Sequence, residues 1–329
     1  MKPIWLFKVP FFALVAAILV LPFQSSLAAA PSATTNGSVF ADPPSSFTIY
    51  LPLIVADSAN PPASLGASST HFAVIGDYGV DNANEAAVAA LVKSWIPDFV
   101  ITTGDNNYTS GASSTIDQNI GKYYHEYIYD YQGTYGAGSP DVNRFFPALG
   151  NHDWVTANAQ PYLDYFSLPD NERYYDFVQG PVHFFVIDSD THEPDGTSST
   201  STQAFWLQSG LAAATEPWKI VYMHHPPYSS SRHGSTGYMQ WDFKGWGASA
   251  VLAGHEHSYE RLDVAGLPYF VNGLGGQSIY NFGAPIPGSQ VRYNEQHGAM
   301  LVSATTTQLT FQFINVDGSV IDTYTLTAQ

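Results

Sequence analysis

Five apolar runs in this chain each end in residues that carry chemistry. HFAVIGD closes on Asp77 and DFVITTGD on Asp105. RFFPALGNHD closes on Asn151, His152 and Asp153, WKIVYMHH on His224 and His225, and SAVLAGHEH on His255 and His257. Short runs rich in β-branched and aromatic residues, bounded by Gly, Asp or Asn, read as buried strands. Between the first two lies NEAAVAALVKSWIP, with Ala, Val and Leu at helical spacing. A strand–helix–strand unit joins parallel neighbours. Ligands of open α/β sheets gather beyond the carboxyl ends of the strands. For a single run the alternative is turn chemistry, which Asp, Asn and Gly favour. Five such ends in one chain argue for a shared site.

GDNNY adds a tyrosine, Tyr108, three residues after Asp105. The candidate donors are then Asp77, Asp105, Tyr108, Asn151, His224, His255 and His257. Carboxylate, amide oxygen and imidazole suit borderline and hard metals. The set exceeds what one four-coordinate site needs, whereas two metals sharing a bridging carboxylate use every member. Tyr108 alone would also fit as an aromatic packed against a sheet end. There is no cysteine, which excludes disulfides, thiolate ligands and a cysteine nucleophile. The formal net charge is −17, which argues against nucleic-acid binding. An anionic substrate would need local attraction, such as bound cations.

The 329 residues divide by texture. A short basic start, the apolar PFFALVAAILVLPF and the small-residue stretch SSLAAAPSA read as a secretory signal peptide over residues 1–30. The apolar stretch is short for a bilayer span, so an uncleaved anchor is the weaker alternative. Residues 31–69 form a low-complexity linker containing one apolar island, FTIYLPLIVA, broken by Pro52. One domain over 70–329 is the simplest reading of the rest. Near its end GAMLVSA, QLTFQFIN and VIDTYTLT are expected to pair antiparallel and complete a second sheet. His125 and His183 read as structural. The tyrosines of 123–135 are expected on a surface helix or rim.

GDYG (76–79), GDNNY (104–108), GNHD (150–153), VYMH (221–224) and GHEH (254–257) stand in one order. That order resembles the purple acid phosphatase pattern within the calcineurin-like metallophosphoesterases. GHEHSYER and GLPYFVNGLGG strengthen the resemblance. It implies a four-layer α/β/β/α sandwich of two mixed β-sheets flanked by helices. It also implies a short form, because residues 31–69 are too few for the extra β-sandwich domain of large plant-type members.

The resemblance assigns Asp77, Asp105, Tyr108 and His257 to a first metal, with Asp105 bridging to a second held by Asn151, His224 and His255. A phenolate is a hard anionic donor, so the implied pair is Fe(III) with a divalent ion: Fe, Zn or Mn. Two carboxylates and a phenolate then leave the site net positive. The implied reaction is hydrolysis of small-molecule phosphate monoesters by metal-activated hydroxide. His152 would be the general acid, and Asp153 would orient it or a ligand. The second substrate histidine is His233 or His225, with the resemblance favouring His233; the alternative is that Arg232 binds a phosphate oxygen directly. The signal peptide implies an extracytoplasmic localisation, with no stable membrane span expected after its removal. Rival readings are a phosphodiesterase or nucleotidase of the same superfamily, and a non-catalytic phosphate- or partner-binding protein on the same fold.

Overall fold

Alternation in THFAVI sets the first strand. Phe72 and Val74 enter one apolar cluster and Ala73 and Ile75 another, so both faces are buried. The computed structural model describes residues 69–328, all within one compact unit. The leader, the linker up to residue 68 and FTIYLPLIVA lie outside the described residues. Strand β1 (Thr70–Ile75) runs parallel to β2 (Phe99–Thr102), and β2 parallel to β3 (Phe145–Pro147). Helix Ala83–Ser94 makes the β1–β2 crossover. Its N-cap is Asn82, whose side chain accepts from the N–H groups of Asn84 and Glu85, both at 2.9 Å.

A seven-stranded sheet follows from β4 (Tyr175–Gln179), β5 (Val182–Val186), β6 (Trp218–Tyr222), β7 (Ala250–Ala253), β8 (Tyr259–Val264), β9 (Leu267–Asn272) and β10 (Ser289–Tyr293), in the order β10-β8-β9-β7-β6-β5-β4. Its central pairs β5–β6, β6–β7 and β7–β9 are parallel.

The last strands are β11 (Gly298–Ala304), β12 (Gln308–Asn315) and β13 (Val320–Thr327). They pair antiparallel, as expected, but they do not complete a second sheet. They extend the first, giving β13-β12-β11-β1-β2-β3, with β11 antiparallel to β1. The reason is facial. Met300, Val302 and Ala304 of β11 enter the same cluster as Phe72 and Val74 of β1. Nothing in a run of alternating residues states which sheet edge it will join.

That cluster also takes Phe184, Ile220, Tyr222 and Leu252 from the other sheet, so the main core lies between the sheets. A second cluster packs Val88, Val92 and Tyr162 on the outer face of the first sheet. A third packs Leu207 and Leu211 of helix Thr202–Ala213 on the outer face of the second. The architecture is therefore two mixed sheets with helices outside. Tyr123, Tyr124 and Tyr127 are not rim residues, contrary to expectation. They are buried in the second cluster, and the Tyr124 ring lies 5.7 Å from Tyr78 and 5.6 Å from Phe145. Aromatic bulk was needed under that helical segment, while Tyr129 and Tyr135 are exposed. Among the described residues no helix is long and apolar enough to cross a membrane.

Candidate metal centre

Because β1, β2 and β3 are parallel, their carboxyl ends meet at one edge of the first sheet. The ends of β6 and β7 meet likewise on the second. Asp77, Asp105 and Asn151 follow the first three, and His224, His255 and His257 the other two. The turns are tight: Asp77, Asp105 and His255 have φ of 55°, 54° and 67°. Left-handed backbone is unfavourable for these residues and clusters at functional sites. Gly104 has φ of 90°, and a Cβ there would stand 2.7 Å from His224 Nδ1. The glycine of GDNNY thus lets a strand end approach an imidazole from the facing sheet.

The candidate donors form two groups. In the first, the Tyr108 hydroxyl lies 3.2 Å from both Asp77 Oδ1 and His257 Nε2, which are 3.4 Å apart. In the second, Asn151 Oδ1 lies 3.0 Å from His224 Nε2 and 3.1 Å from His255 Nδ1, with the two nitrogens 3.3 Å apart. Asp105 joins the groups: its Oδ1 is 3.4 Å from His224 Nε2, and Asp77, Asp105 and His224 offer ligand atoms that all lie within 4.8 Å of one another. Donors held about 2.0–2.2 Å from one ion stand about 2.8–3.6 Å apart at octahedral or tetrahedral angles. The spacings within each group fit that range, and oxygen with imidazole donors suit the metals implied by the sequence.

Second contacts choose the tautomers. His224 Nδ1 is 2.8 Å from the Thr103 carbonyl, and His257 Nδ1 is 2.7 Å from the Ser278 carbonyl. A carbonyl only accepts, so the proton sits on Nδ1 and leaves Nε2 its lone pair. His255 instead turns Nδ1 inward, and its backbone N–H donates to Asp77 Oδ2 at 2.9 Å. Burial raises the Tyr108 phenol well above its usual range, and the Asp105 and Asp77 carboxylates add to this. A cation among these groups opposes both effects.

Of the proposed catalytic residues, His152 sits at the centre with its Nε2 3.9 Å from Asp105 Oδ2 and its ring 4.5 Å from that of Tyr108. Its backbone N–H donates to Asp105 Oδ1 at 2.9 Å. Asp153 is buried and faces the backbone. Its carboxylate accepts from the N–H groups of Gly150, Asn106 and Asn107, at 2.9 to 3.1 Å, and from the Asn106 amide at 2.8 Å. It ties the β2 and β3 loops together, and burial, then Asp105, pushes its pKa to about 6. His233 lies on the rim with its ring 4.7 Å from His255. His225 is closer in: its ring is 4.4 Å from His255, its Nδ1 is 3.0 Å from Ser189 Oγ, and burial, then His224, lowers its pKa to about 3. His183 lies elsewhere between Asp176 and Glu216, and His125 faces the Ala137 carbonyl.

Sequence reasoning passed over the residues that aim Tyr108. Asn119 donates to the Tyr108 carbonyl at 3.0 Å and to Asn107 Oδ1 at 2.8 Å, while Asn106 donates to the Ala148 carbonyl at 2.8 Å. The two asparagines inside GDNNY were the available signal. It also passed over Tyr280, whose ring stacks on His257 at 3.9 Å; its position in a late loop offered no signal.

Residues 70–259 match the family model described as calcineurin-like phosphoesterase. Human tartrate-resistant acid phosphatase type 5 is 24% identical over 314 residues, 80% of this chain and 90% of that protein. Purple acid phosphatase 4 of Arabidopsis thaliana is 25% identical over 308 residues, 80% of this chain and 84% of that protein. Among solved structures, purple acid phosphatase PPD1 from yellow lupin seeds superposes with a TM-score of 0.66 at 18% identity, over 79% of this chain and 54% of that one. GAP50, described as the anchor in the inner membrane complex of Plasmodium, gives 0.62 at 18% identity, over 79% and 89%. These two likenesses concern the fold.

Proposed function

The chain belongs to the calcineurin-like phosphoesterase family, and from that premise we propose that it is an exported acid phosphatase with two metals, acting on small phosphate monoesters. The observation that carries the reading is the position of Asp105, whose carboxylate lies within 4.8 Å of the ligand atoms of Asp77 in one donor group and His224 in the other. Asp77, Tyr108 and His257 would hold one ion, Asn151, His224 and His255 the other, and Asp105 both. Bound there, such a pair supplies Lewis-acid activation of water and neutralises phosphoryl oxygens. We assign Fe(III) to the tyrosine side and divalent Fe, Zn or Mn to the other, because phenolate is a hard anionic donor.

In this reading the chain's own groups do the rest. His152, as the imidazolium, gives its Nε2 proton to the leaving oxygen and becomes the neutral imidazole whose Nδ1–H stays on the Thr109 carbonyl, and His233 on the rim orients the phosphoryl group. Asp153 positions the β2 and β3 loops. Residues 1–30 are the leader, 31–69 the linker and 70–329 the catalytic domain. The similarity to proteins named tartrate-resistant and purple acid phosphatases supports the acid phosphatase assignment. The fold of GAP50, described as an anchor, keeps a non-catalytic role as the rival; a complete set of donors argues against it.

The test is metal quantification of purified protein with its absorption spectrum and its turnover of p-nitrophenyl phosphate and bis-p-nitrophenyl phosphate. We expect two metals per chain, preference for the monoester, and a visible band absent from Tyr108→Phe. Phenolate-to-Fe(III) charge transfer causes such a band, and carboxylate, amide and imidazole lack a comparable donor orbital. Stoichiometric Fe(III) without colour would remove Tyr108 from the ligand set. Two bound metals without turnover of either ester would favour the non-catalytic reading.

A further inference from the structure

Two buried glutamates pin a loop beside the metal centre. Glu260 on β8 accepts from the Ser230 N–H at 2.7 Å and from the hydroxyls of Ser229 and Ser230 at 3.2 and 2.5 Å. Glu256, buried between His255 and His257, accepts from the His233 N–H at 2.6 Å. The Ser230 carbonyl accepts from the Gly283 N–H at 2.8 Å. The backbone is therefore held on both sides of Arg232, whose side chain is exposed.

The chain has five arginines. Arg144 donates to the carbonyls of Pro97 and Asp98, Arg173 to Glu193 and Asp195, Arg261 to Asp322, and Arg292 to the Gly283 carbonyl. Arg232 differs. Among the described residues its guanidinium has no acceptor, and it lies 4.9 Å from the centroid of the Tyr280 ring. That ring stacks on His257 at 3.9 Å, and the Tyr280 N–H donates to the His257 carbonyl at 2.8 Å. The His233 ring stacks on Tyr280 at 5.3 Å. One aromatic ring thus contacts both an uncommitted guanidinium and a candidate metal ligand.

A guanidinium presents a planar fork of N–H donors that matches phosphate and carboxylate oxygens. A loop already ordered lowers the entropy cost of using it. An ester of an uncharged alcohol offers one anionic group, the phosphoryl group that reacts. A phosphoanhydride or doubly phosphorylated ester offers a second. We propose that Arg232 is a specificity-determining residue that binds an anionic group of the substrate beyond the reacting phosphoryl group, so that the site favours phosphoanhydrides and doubly phosphorylated esters. The proposal rests on the phosphatase reading above. Tyr280 supports the guanidinium through its ring face, and Glu256 and Glu260 position the loop.

The experiment compares metal-quantified wild type, Arg232→Ala and Arg232→Lys on pyrophosphate and p-nitrophenyl phosphate. Calorimetric titrations with methylenediphosphonate and methylphosphonate run alongside. In Arg232→Ala, KM for pyrophosphate rises about 10- to 100-fold, the size expected for lost charged hydrogen bonds. KM for p-nitrophenyl phosphate stays within about twofold, since its leaving group carries no second anion. Methylenediphosphonate affinity falls with the pyrophosphate value and methylphosphonate affinity does not, and Arg232→Lys recovers part of the loss as a point charge. Equal KM shifts on both substrates, or an unchanged affinity for methylenediphosphonate, would overturn the proposal. If wild type hydrolyses neither substrate, the phosphatase reading fails, and the titrations still decide the role of Arg232.

Discussion

Histidines of one chemical type differ here by what holds their two nitrogens. His152 Nδ1 is 2.6 Å from the Thr109 carbonyl, so it carries a proton and Nε2 is left facing Asp105. His183 has a carboxylate at each nitrogen, at 2.6 and 3.0 Å, and no atom left for a substrate. The first arrangement suits proton transfer and the second suits cross-linking. His152→Ala is therefore expected to retain its metals and lose roughly 10²–10⁴-fold in kcat, the usual range for a general acid. The loss should be larger for alkyl phosphates than for p-nitrophenyl phosphate, because nitrophenolate leaves with little help. Equal losses on both would show that His152 positions phosphate or a ligand.

At the scale of an element, helix Ala83–Ser94 also organises the β1 end of the site. Its first turn carries Glu85, which is buried and accepts from the N–H groups of Val80 and Asp81 at 2.9 and 2.6 Å. These N–H groups follow directly on GDYG. The other oxygen, Oε1, has no partner among the described residues, and neither has the buried Tyr124 hydroxyl. Burial pushes the Glu85 pKa from 4.5 up to about 9, against the two backbone N–H groups. The folded state therefore binds this proton more tightly than the unfolded chain does. The associated stability is complete below the unfolded pKa and is lost as pH rises toward the folded one. Glu85→Gln keeps the shape without the charge. It should raise Tm at pH 8, by on the order of 2 kcal/mol in stability, and make little difference at pH 4. Melting curves of variant and wild type at both pH values check this; an offset independent of pH would mean that Glu85 is ionised in the fold.

Across the whole molecule, the donor groups draw on both sheets: Asp77, Asp105 and Asn151 from one, His224, His255 and His257 from the other. Metals bound to both would stabilise the sandwich as well as supply chemistry. By mass action, ligand at about a thousand times its Kd adds about 4 kcal/mol. For a domain of this size that is on the order of 10 °C in Tm. Chelation of the purified protein should lower Tm by that order and readdition restore it. Asp105→Asn should bind less metal, lose nearly all hydrolysis and melt near the chelated wild type. A chelated protein melting with the loaded one would mean that the folded state binds no metal more tightly than the unfolded chain does, and would remove the two-metal reading.

Much of this protein was legible before any coordinates. Local sequence sets strand ends, so the strand–helix–strand unit announced the parallel pair β1–β2, and five apolar runs ending in Asp, Asn or His pointed to one shared edge. The helical spacing of Ala, Val and Leu in NEAAVAALVKSWIP marked the first crossover helix. The order of the glycine-bearing motifs pointed to the family. Other features are relations between distant segments, and a strand's pattern does not contain its partner. Thus β11 joined β1 because Met300 and Val302 share a core face with Phe72 and Val74, a fact about packing. Tyr123, Tyr124 and Tyr127 went inside because an adjoining sheet face had space for rings. Arg232 stood in the sequence beside His233 as one basic residue among few. Only the tertiary structure placed it against Tyr280, and Tyr280 against His257, because aromatic stacking and two buried glutamates bring together loops remote in the chain.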